Sequence, residues 1–288
     1  MNYRHAFHAG NFGDVLKHVV LVELLSRLVA KDKPLFFLDT HAGRGAYDLD
    51  SAEARRAGEA RGGILRLAQQ GGLPPAARRY VEAVRASDPR NAERIQSYPG
   101  SPLLAAGLLR PTDRAAACEL QPGEAAALRR ALAGDRRFAV HQRDGYEALG
   151  ALLPPKERRG LVLVDPPYEA QEQEFGTLLA GLGRALERWP TGVYAIWYPI
   201  KLAGPVRRFQ DALLALGAQP LLVAELCVHP RDSRAGLNGS GMAVLNPPWQ
   251  ADAALADALP AVHAALSPDG AGDARVDWLR REAKASAR

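Results

Sequence analysis

Apolar residues recur at helical spacing just past the N-terminus and as short unbroken runs further on, and the two patterns alternate along most of the chain. In VLKHVVLVELLSRLVAK, Val15, Val19, Val22 and Leu25 share one helical face. Asp14 stands before this run as its N-cap, and Lys33-Pro34 closes it. Leu35 to Asp39 is an apolar run between a proline and a glycine-bearing loop, which predicts a strand buried on both faces. The alternation resumes after Tyr98-Pro99-Gly100. It predicts helices over 101–109, 123–132, 172–188, 205–216 and 251–266. Strands are predicted over 114–120, 137–142, 160–164, 192–197, 220–228 and 241–245. The last two have no helix between them and suit an antiparallel hairpin. From Ser267 onward the basic end reads as frayed.

Residues 50–96 interrupt this rhythm. They are rich in Ala, Arg, Glu and Gln, carry nine arginines against six acidic residues, and show no strand pattern. Breaks at Gly62-Gly63, at Gly71 to Pro75 and at Asp88-Pro89 divide them into two or three helices. The reading is an α/β fold, a mostly parallel doubly wound sheet with a helical insertion. Residues 1–49 and 97–288 form the main domain, 1–18 serve as an N-terminal tail or lid, and 50–96 are the insertion subdomain. In such a sheet ligands bind outside the carboxyl ends of the strands, near the point where strand order reverses.

Composition narrows the class. With 288 residues and 47% of them hydrophobic, the chain can bury a substantial core. The net charge of +5 is carried mainly by arginine, which suits phosphate forks and base stacking. Cys118 and Cys227 lie far apart in apolar runs with no CxxC pair, which argues against a zinc site or a disulfide framework and fits a reducing compartment. The first residues lack the apolar stretch of a signal peptide, and no run is long enough to span a bilayer. A soluble, cytoplasmic protein is expected.

The densest chemistry is at Asp165-Pro166-Pro167-Tyr168, directly after the strand 160–164. The two prolines force an extended exit, so Asp165 meets the cleft at a strand's carboxyl end. A planar exocyclic amine can donate one hydrogen to Asp165 and the other to the Pro166 carbonyl. Its lone pair is then localised and aimed at an electrophilic methyl group. Tyr168 can stack on a base that has left its helix or loop. A plain structural turn is the alternative for four residues alone; their position after a parallel strand favours the chemistry.

Asp39-Thr40-His41-Ala42-Gly43-Arg44-Gly45 follows the first strand, and its small residues allow close backbone approach to a ligand, though the spacing is not GxGxxG. Glu119 ends the next strand, where a ribose-binding carboxylate would sit, and Asp144 ends the one after, where it could accept from an adenine amino group. With Asp39 and Asp165 these make four carboxylates on successive strand ends. The N-terminal segment contributes Tyr3, Arg4, His5, His8, Lys17 and His18. A metal site built from His5, His8 and His41 fits no standard spacing. A solvated tail or a lid over the cleft, with Lys17 and His18 facing inward, are the other readings.

YRHAFHAGNFGDVLKH, LDTHAGRG, YPGSP, RDGYEAL, LVDPPYE and GSGMAVLNPPW together resemble the RlmJ family of 23S rRNA adenine-N6 methyltransferases, from Tyr3 to about Trp249. The resemblance implies a class I (Rossmann-like) methyltransferase fold and methylation of one adenine in 23S rRNA. S-adenosylmethionine would be the cofactor, S-adenosylhomocysteine the product and 23S rRNA the partner. A monomer with no metal and no membrane association is expected. It further implies that His18, His41, Ser101, Glu119, Asp144, Gly145 and Asp165 contact the cofactor or lie beside it. Asp165 would orient the amine and accept its proton, Tyr3 would contact the substrate, and Lys17 would lie near the active site. His41 stands where the wider superfamily has glycine. Rival readings are an amine methyltransferase for guanine N2, cytosine N4 or DNA adenine, a non-catalytic RNA-binding protein, and a metal-dependent hydrolase.

Overall fold

The computed structural model describes residues 5–168, 171–234 and 236–281. A short 3-10 turn, His5–Phe7, leads into α1 (Phe12–Val29). Asn11, not Asp14, caps this helix: its side-chain oxygen accepts the Asp14 backbone N–H at 3.0 Å. Asp14 sits in the first turn, where an acidic side chain also suits the positive helix end. The helix is not one-faced either. Every residue from Gly13 to Leu25 is buried, because α1 lies between the main sheet and a second layer of helices. It ends four residues before Lys33.

β1 (Phe36–Asp39) is buried throughout, as expected of a central parallel strand. β2 (Ala46–Asp48) follows its loop. The insertion then runs through α2 (Ala52–Ala57), α3 (Glu59–Gly62), α4 (Ile64–Leu67) and α5 (Pro75–Ala86). β3 (Ser97–Pro99) closes it by pairing antiparallel with β2. This small ribbon escaped the sequence pattern because three-residue strands show no period.

Next come α6 (Ser101–Leu108), β4 (Arg114–Cys118), α7 (Pro122–Ala131) and β5 (Phe138–His141). α8 (Gly145–Ala151) is a helix that the periodicity did not reveal, being only seven residues long. β6 (Gly160–Val164), α9 (Gln171–Arg188), β7 (Val193–Ile200) and α10 (Ala203–Ala215) follow. The chain ends in β8 (Leu221–Cys227), β9 (Gly239–Leu245), α11 (Ala251–Leu266) and β10 (Asp273–Arg280).

The eight strands of the main sheet run β10-β8-β9-β7-β6-β1-β4-β5. β5, β4, β1, β6 and β7 are parallel, while β9 is antiparallel to β7 and to β8. β8 and β9 therefore form the antiparallel pair expected. β10 corrects the frayed end: it adds antiparallel to β8 as an edge strand. Its charges, typical of a protected edge, hid it from the pattern.

The insertion is not a separate body. Ile64, Leu67, Tyr80, Val84 and Ile95 share one buried cluster with Val15, Val19 and Leu25 of α1 and Leu255 of α11. On the other sheet face α8, α9 and α10 pack over a second cluster. β1 has β4 on one side and β6 on the other, so the order reverses there and a crevice opens at its carboxyl end.

Candidate active site

Four carboxylates stand along the carboxyl edge in the order that the sheet imposes: Asp165 after β6, Asp39 on β1, Glu119 after β4 and Asp144 beyond β5. Asp39 is fully buried. It accepts the Ser101 hydroxyl at 2.6 Å and the His41 backbone N–H at 3.2 Å. Burial pushes its carboxyl up to about 7; the Ser101 bond opposes that, and neighbouring Asp165 adds to it.

Lys17 reaches this row from α1. Its ammonium lies 2.6 Å from Asp165 Oδ2 and 2.8 Å from Asp14 Oδ1. Burial works against the charged amine, yet the two carboxylates outweigh it and hold Lys17 well above the ordinary lysine value. Asp14 is 3% exposed and accepts from the Gly10 backbone N–H at 2.9 Å, with His5 Nε2 3.0 Å away. Burial raises its pKa, but His5 and Lys17 bring it well below the usual carboxylate range. One carboxylate thus ties the N-terminal segment to the lysine that holds Asp165.

His18 Nδ1 pairs with the Tyr98 hydroxyl at 2.7 Å, and Tyr98 in turn with Tyr80 at 2.9 Å. Its Nε2 is buried with no partner among the described residues. Burial, with Lys17 nearby, keeps the ring neutral. The His41 tautomer follows from its neighbour. Thr40 Oγ1 donates to the Leu163 carbonyl at 3.0 Å, so at 2.8 Å it can only accept from His41 Nδ1–H. Burial lowers His41 to about 4, leaving Nε2 an unprotonated acceptor.

Beyond β1, Gly43 has a φ of +62° and donates its N–H to Glu119 Oε2 at 3.0 Å; a Cβ there would lie 2.3 Å from the Tyr47 hydroxyl. Glu119 Oε1 takes the Gln121 N–H at 2.7 Å, and burial raises this carboxyl. Asp144 caps α8, its Oδ1 accepting from Tyr146 and Glu147. Gly145 is obligatory, because any Cβ would sit 2.1 Å from the Thr40 carbonyl oxygen.

Tyr168, expected to stack on a base, is an enclosed side chain. It is 9% exposed, its hydroxyl donates to the Trp197 carbonyl at 2.6 Å, and its ring packs edge-on against Phe175. Pro166, two residues before it, is buried as well. Tyr3 lies outside the described residues.

The family model described as RsmJ, ribosomal RNA large subunit methyltransferase D, RlmJ, matches residues 32–280. The chain is 42% identical over 279 residues to Ribosomal RNA large subunit methyltransferase J of Escherichia coli strain K12, spanning 97% of this chain and 99% of that relative. It is also 42% identical over 282 residues to the Haemophilus influenzae protein of the same name, across 98% and 100% of the two chains. The chain belongs to the RlmJ family. Its fold is shared with the crystal structure of protein LPL1258 from Legionella pneumophila, at TM-score 0.84 and 32% identity over 94% of this chain and 98% of that one.

Within this RlmJ-family chain, a second tetrapeptide is spelled much like the first. Asn246-Pro247-Pro248-Trp249 follows β9, which is antiparallel to β7 and so exits at the opposite sheet edge. There Asn246 donates to the Pro190 and Gly192 carbonyls, and Trp249 is 84% exposed. Strand direction, not spelling, separates the two.

The histidines do not converge on one point. His5 faces Asp14, His8 Nδ1 faces Glu59 at 2.7 Å, and His41 lies on the β1 loop. Among the described residues no group of three or more His, Cys, Asp or Glu could hold a metal ion. Burial pushes both cysteine thiols up to about 12, which suits neither nucleophile.

Residues 5–11 are not a solvated tail: the Gly10 carbonyl accepts from Ile64 N, and Asn11 donates to Glu59. Residues 12–18 belong to α1. Sequence reasoning missed Asp14 as a partner of Lys17, although their three-residue spacing on a helix was a signal. It also missed Tyr98, which lies 80 residues from His18 and gave no local sign.

Proposed function

We propose that this chain transfers a methyl group from S-adenosylmethionine to the N6 amine of one adenine in 23S ribosomal RNA. The observation that carries the reading is Asp165-Pro166-Pro167 at the carboxyl end of β6, with Asp165 held at 2.6 Å by a buried lysine beside the crevice at β1. The residues present fit the cofactor chemically. A row of carboxylates suits a ligand that carries an ammonium group, a sulfonium centre and a ribose diol. His18 Nε2, buried with no partner among the described residues, and His41 Nε2 offer the cofactor polar contacts. Gly43 lets the β1 loop pack closely against Tyr47, and Gly145 lets the start of α8 pack against Thr40, which holds the carboxyl-end loops in place around the crevice.

In this reading Glu119 would hold the ribose hydroxyls, and Asp144 with Gly145 would hold the cofactor's adenine. His18, His41, Ser101 and Asp165 line the remainder. Bound there, the cofactor supplies an electrophilic methyl group. Asp165 accepts one hydrogen of the substrate amine and the Pro166 carbonyl the other, which turns the nitrogen lone pair out of conjugation. Lys17 fixes the Asp165 carboxylate in that orientation. With the cofactor bound, the methyl would pass directly to nitrogen by SN2 displacement as the S–CH3 bond breaks and S-adenosylhomocysteine leaves, and Asp165 would take the surplus N–H proton and pass it to water. Tyr168 walls the base pocket, and Tyr3 contacts the RNA. The chain acts as a cytoplasmic monomer. No described helix is long and apolar enough to cross a membrane.

The deciding experiment incubates a 23S rRNA transcript with protein and S-adenosylmethionine, then maps the modified nucleotide by mass. A single N6-methyladenosine is expected. A methyl group on guanine N2 or cytosine N4 would move the reading to another amine. RNA binding with neither methylation nor thermal stabilisation by S-adenosylhomocysteine would leave a non-catalytic RNA-binding protein.

A further inference from the structure

The insertion encloses a cavity of about 360 Å³ that the catalytic reading does not use. Its floor is apolar, with Leu65 and Ile95 among its lining. Its rim carries Arg55, Arg61 and Arg94 against a single acid, Asp50. Asp50 takes Arg94 bidentately at 2.6 and 3.2 Å and lies 3.5 Å from Arg55. One carboxylate therefore orients two guanidinium groups without neutralising both, and Arg61 has no acidic partner among the described residues. An apolar floor beneath three guanidinium groups, of which only Arg94 is held bidentately, matches a nucleotide, with its base or ribose inward and its phosphate on the rim.

The cavity's place is set by the chain's connections. Its residues Leu49 and Asp50 follow β2, and Arg94 and Ile95 precede β3. Tyr47 of β2 packs edge-on against His5, and Ser101, just past β3, bonds Asp39. Glu59, two residues before Arg61, holds His8 and Asn11 of the N-terminal segment. Both stems of the insertion thus spring from residues that build the active site.

We infer that this arginine-rimmed cavity is a second RNA site, gripping a nucleotide of the substrate RNA away from the target adenine. The inference rests on the proposed RNA methylation and adds where the RNA is held. The cavity positions the RNA, while Asp165 and its neighbours perform the chemistry. Each arginine–phosphate contact is charge-assisted, so its loss weakens RNA binding about tenfold.

The test uses full-length Arg55→Ala, Arg61→Ala and the double variant, with the exposed Arg184→Ala on α9 as a charge-matched control. The large-subunit rRNA transcript is titrated at several salt concentrations. Single variants are expected to weaken binding about tenfold and to flatten the dependence of log K on log salt by roughly one phosphate contact each. KM for RNA should rise with kcat, S-adenosylmethionine affinity and melting temperature unchanged. Wild-type RNA affinity and salt slope in the double variant would overturn the inference, as would an equal loss in Arg184→Ala. Absence of methyl transfer by the wild-type chain would instead defeat the functional reading, and the binding comparison would still decide the cavity.

Discussion

Lys17 is charged in a place where burial alone would strip its proton, and Asp14 and Asp165 together prevent that. Its folded pKa lies above the unfolded value, so the stability this charge brings is present throughout neutral pH and is lost only in strong alkali. Two variants separate its partners. Asp165→Ala leaves Lys17 paired with Asp14, so methyl transfer should vanish while the melting temperature stays near wild type. Asp14→Asn leaves Lys17 tied to Asp165 but removes its second anchor, so kcat should fall with S-adenosylmethionine affinity unchanged; unaltered kcat would refute that positioning role. Asp39 gives the pH dependence. Its carboxyl titrates at about 7 when folded against an ordinary 3.8, so the folded state holds a proton that the unfolded state has released in that window. Its contribution to stability therefore falls as pH rises from about 4 to 7. Melting curves of wild type should drop more steeply over that range than those of Asp39→Asn; parallel profiles would contradict the assignment. The Asp165 tetrapeptide and the acidic strand ends were legible in the sequence, because each residue type sits at a strand's end. The couplings were not, since Lys17 and Asp165 are 148 positions apart.

At the scale of elements, long periodic segments were legible and short or charged ones were not. α11 was expected over 251–266 and is found there, and β6 was expected over 160–164 and is found there. β10 was missed because its inward Val276 and Trp278 alternate with Arg275 and Asp277, which look like a solvated tail. That strand completes a buried network. Glu225 on β8 is fully buried and accepts from Tyr198, Gln210, Arg231 and Arg275. Burial raises its carboxyl, but Arg275, Tyr198 and Arg231 more than compensate and hold it below the ordinary glutamate value. Glu225→Gln would leave Arg231 to Asp273 and the half-exposed Arg275 to Asp277, and should cost about 1–3 kcal/mol in urea denaturation. A loss below 1 kcal/mol would mean that the network contributes little.

For the whole molecule, the insertion and the sheet share one core, which the sequence boundaries did not suggest. Tyr80 and Val84 of α5 pack into the same cluster as α1 and α11. Replacing residues 50–96 by a short linker should therefore yield an insoluble or molten chain and not a trimmed enzyme, as soluble yield and the loss of a cooperative melt would show. A folded, cooperative product would prove the insertion a separate body. The sequence by itself determined the alternation of strands and helices, the helical insertion and the residue types poised at strand ends, because periodicity and local chain stiffness are encoded over a few residues. Only the tertiary structure decided which carboxylates stand side by side, that Lys17 joins Asp14 to Asp165, that Tyr168 is enclosed, and that one Pro-Pro-aromatic turn faces the crevice while the other faces away. Strand order and direction set those outcomes, and both depend on contacts between residues far apart in the chain.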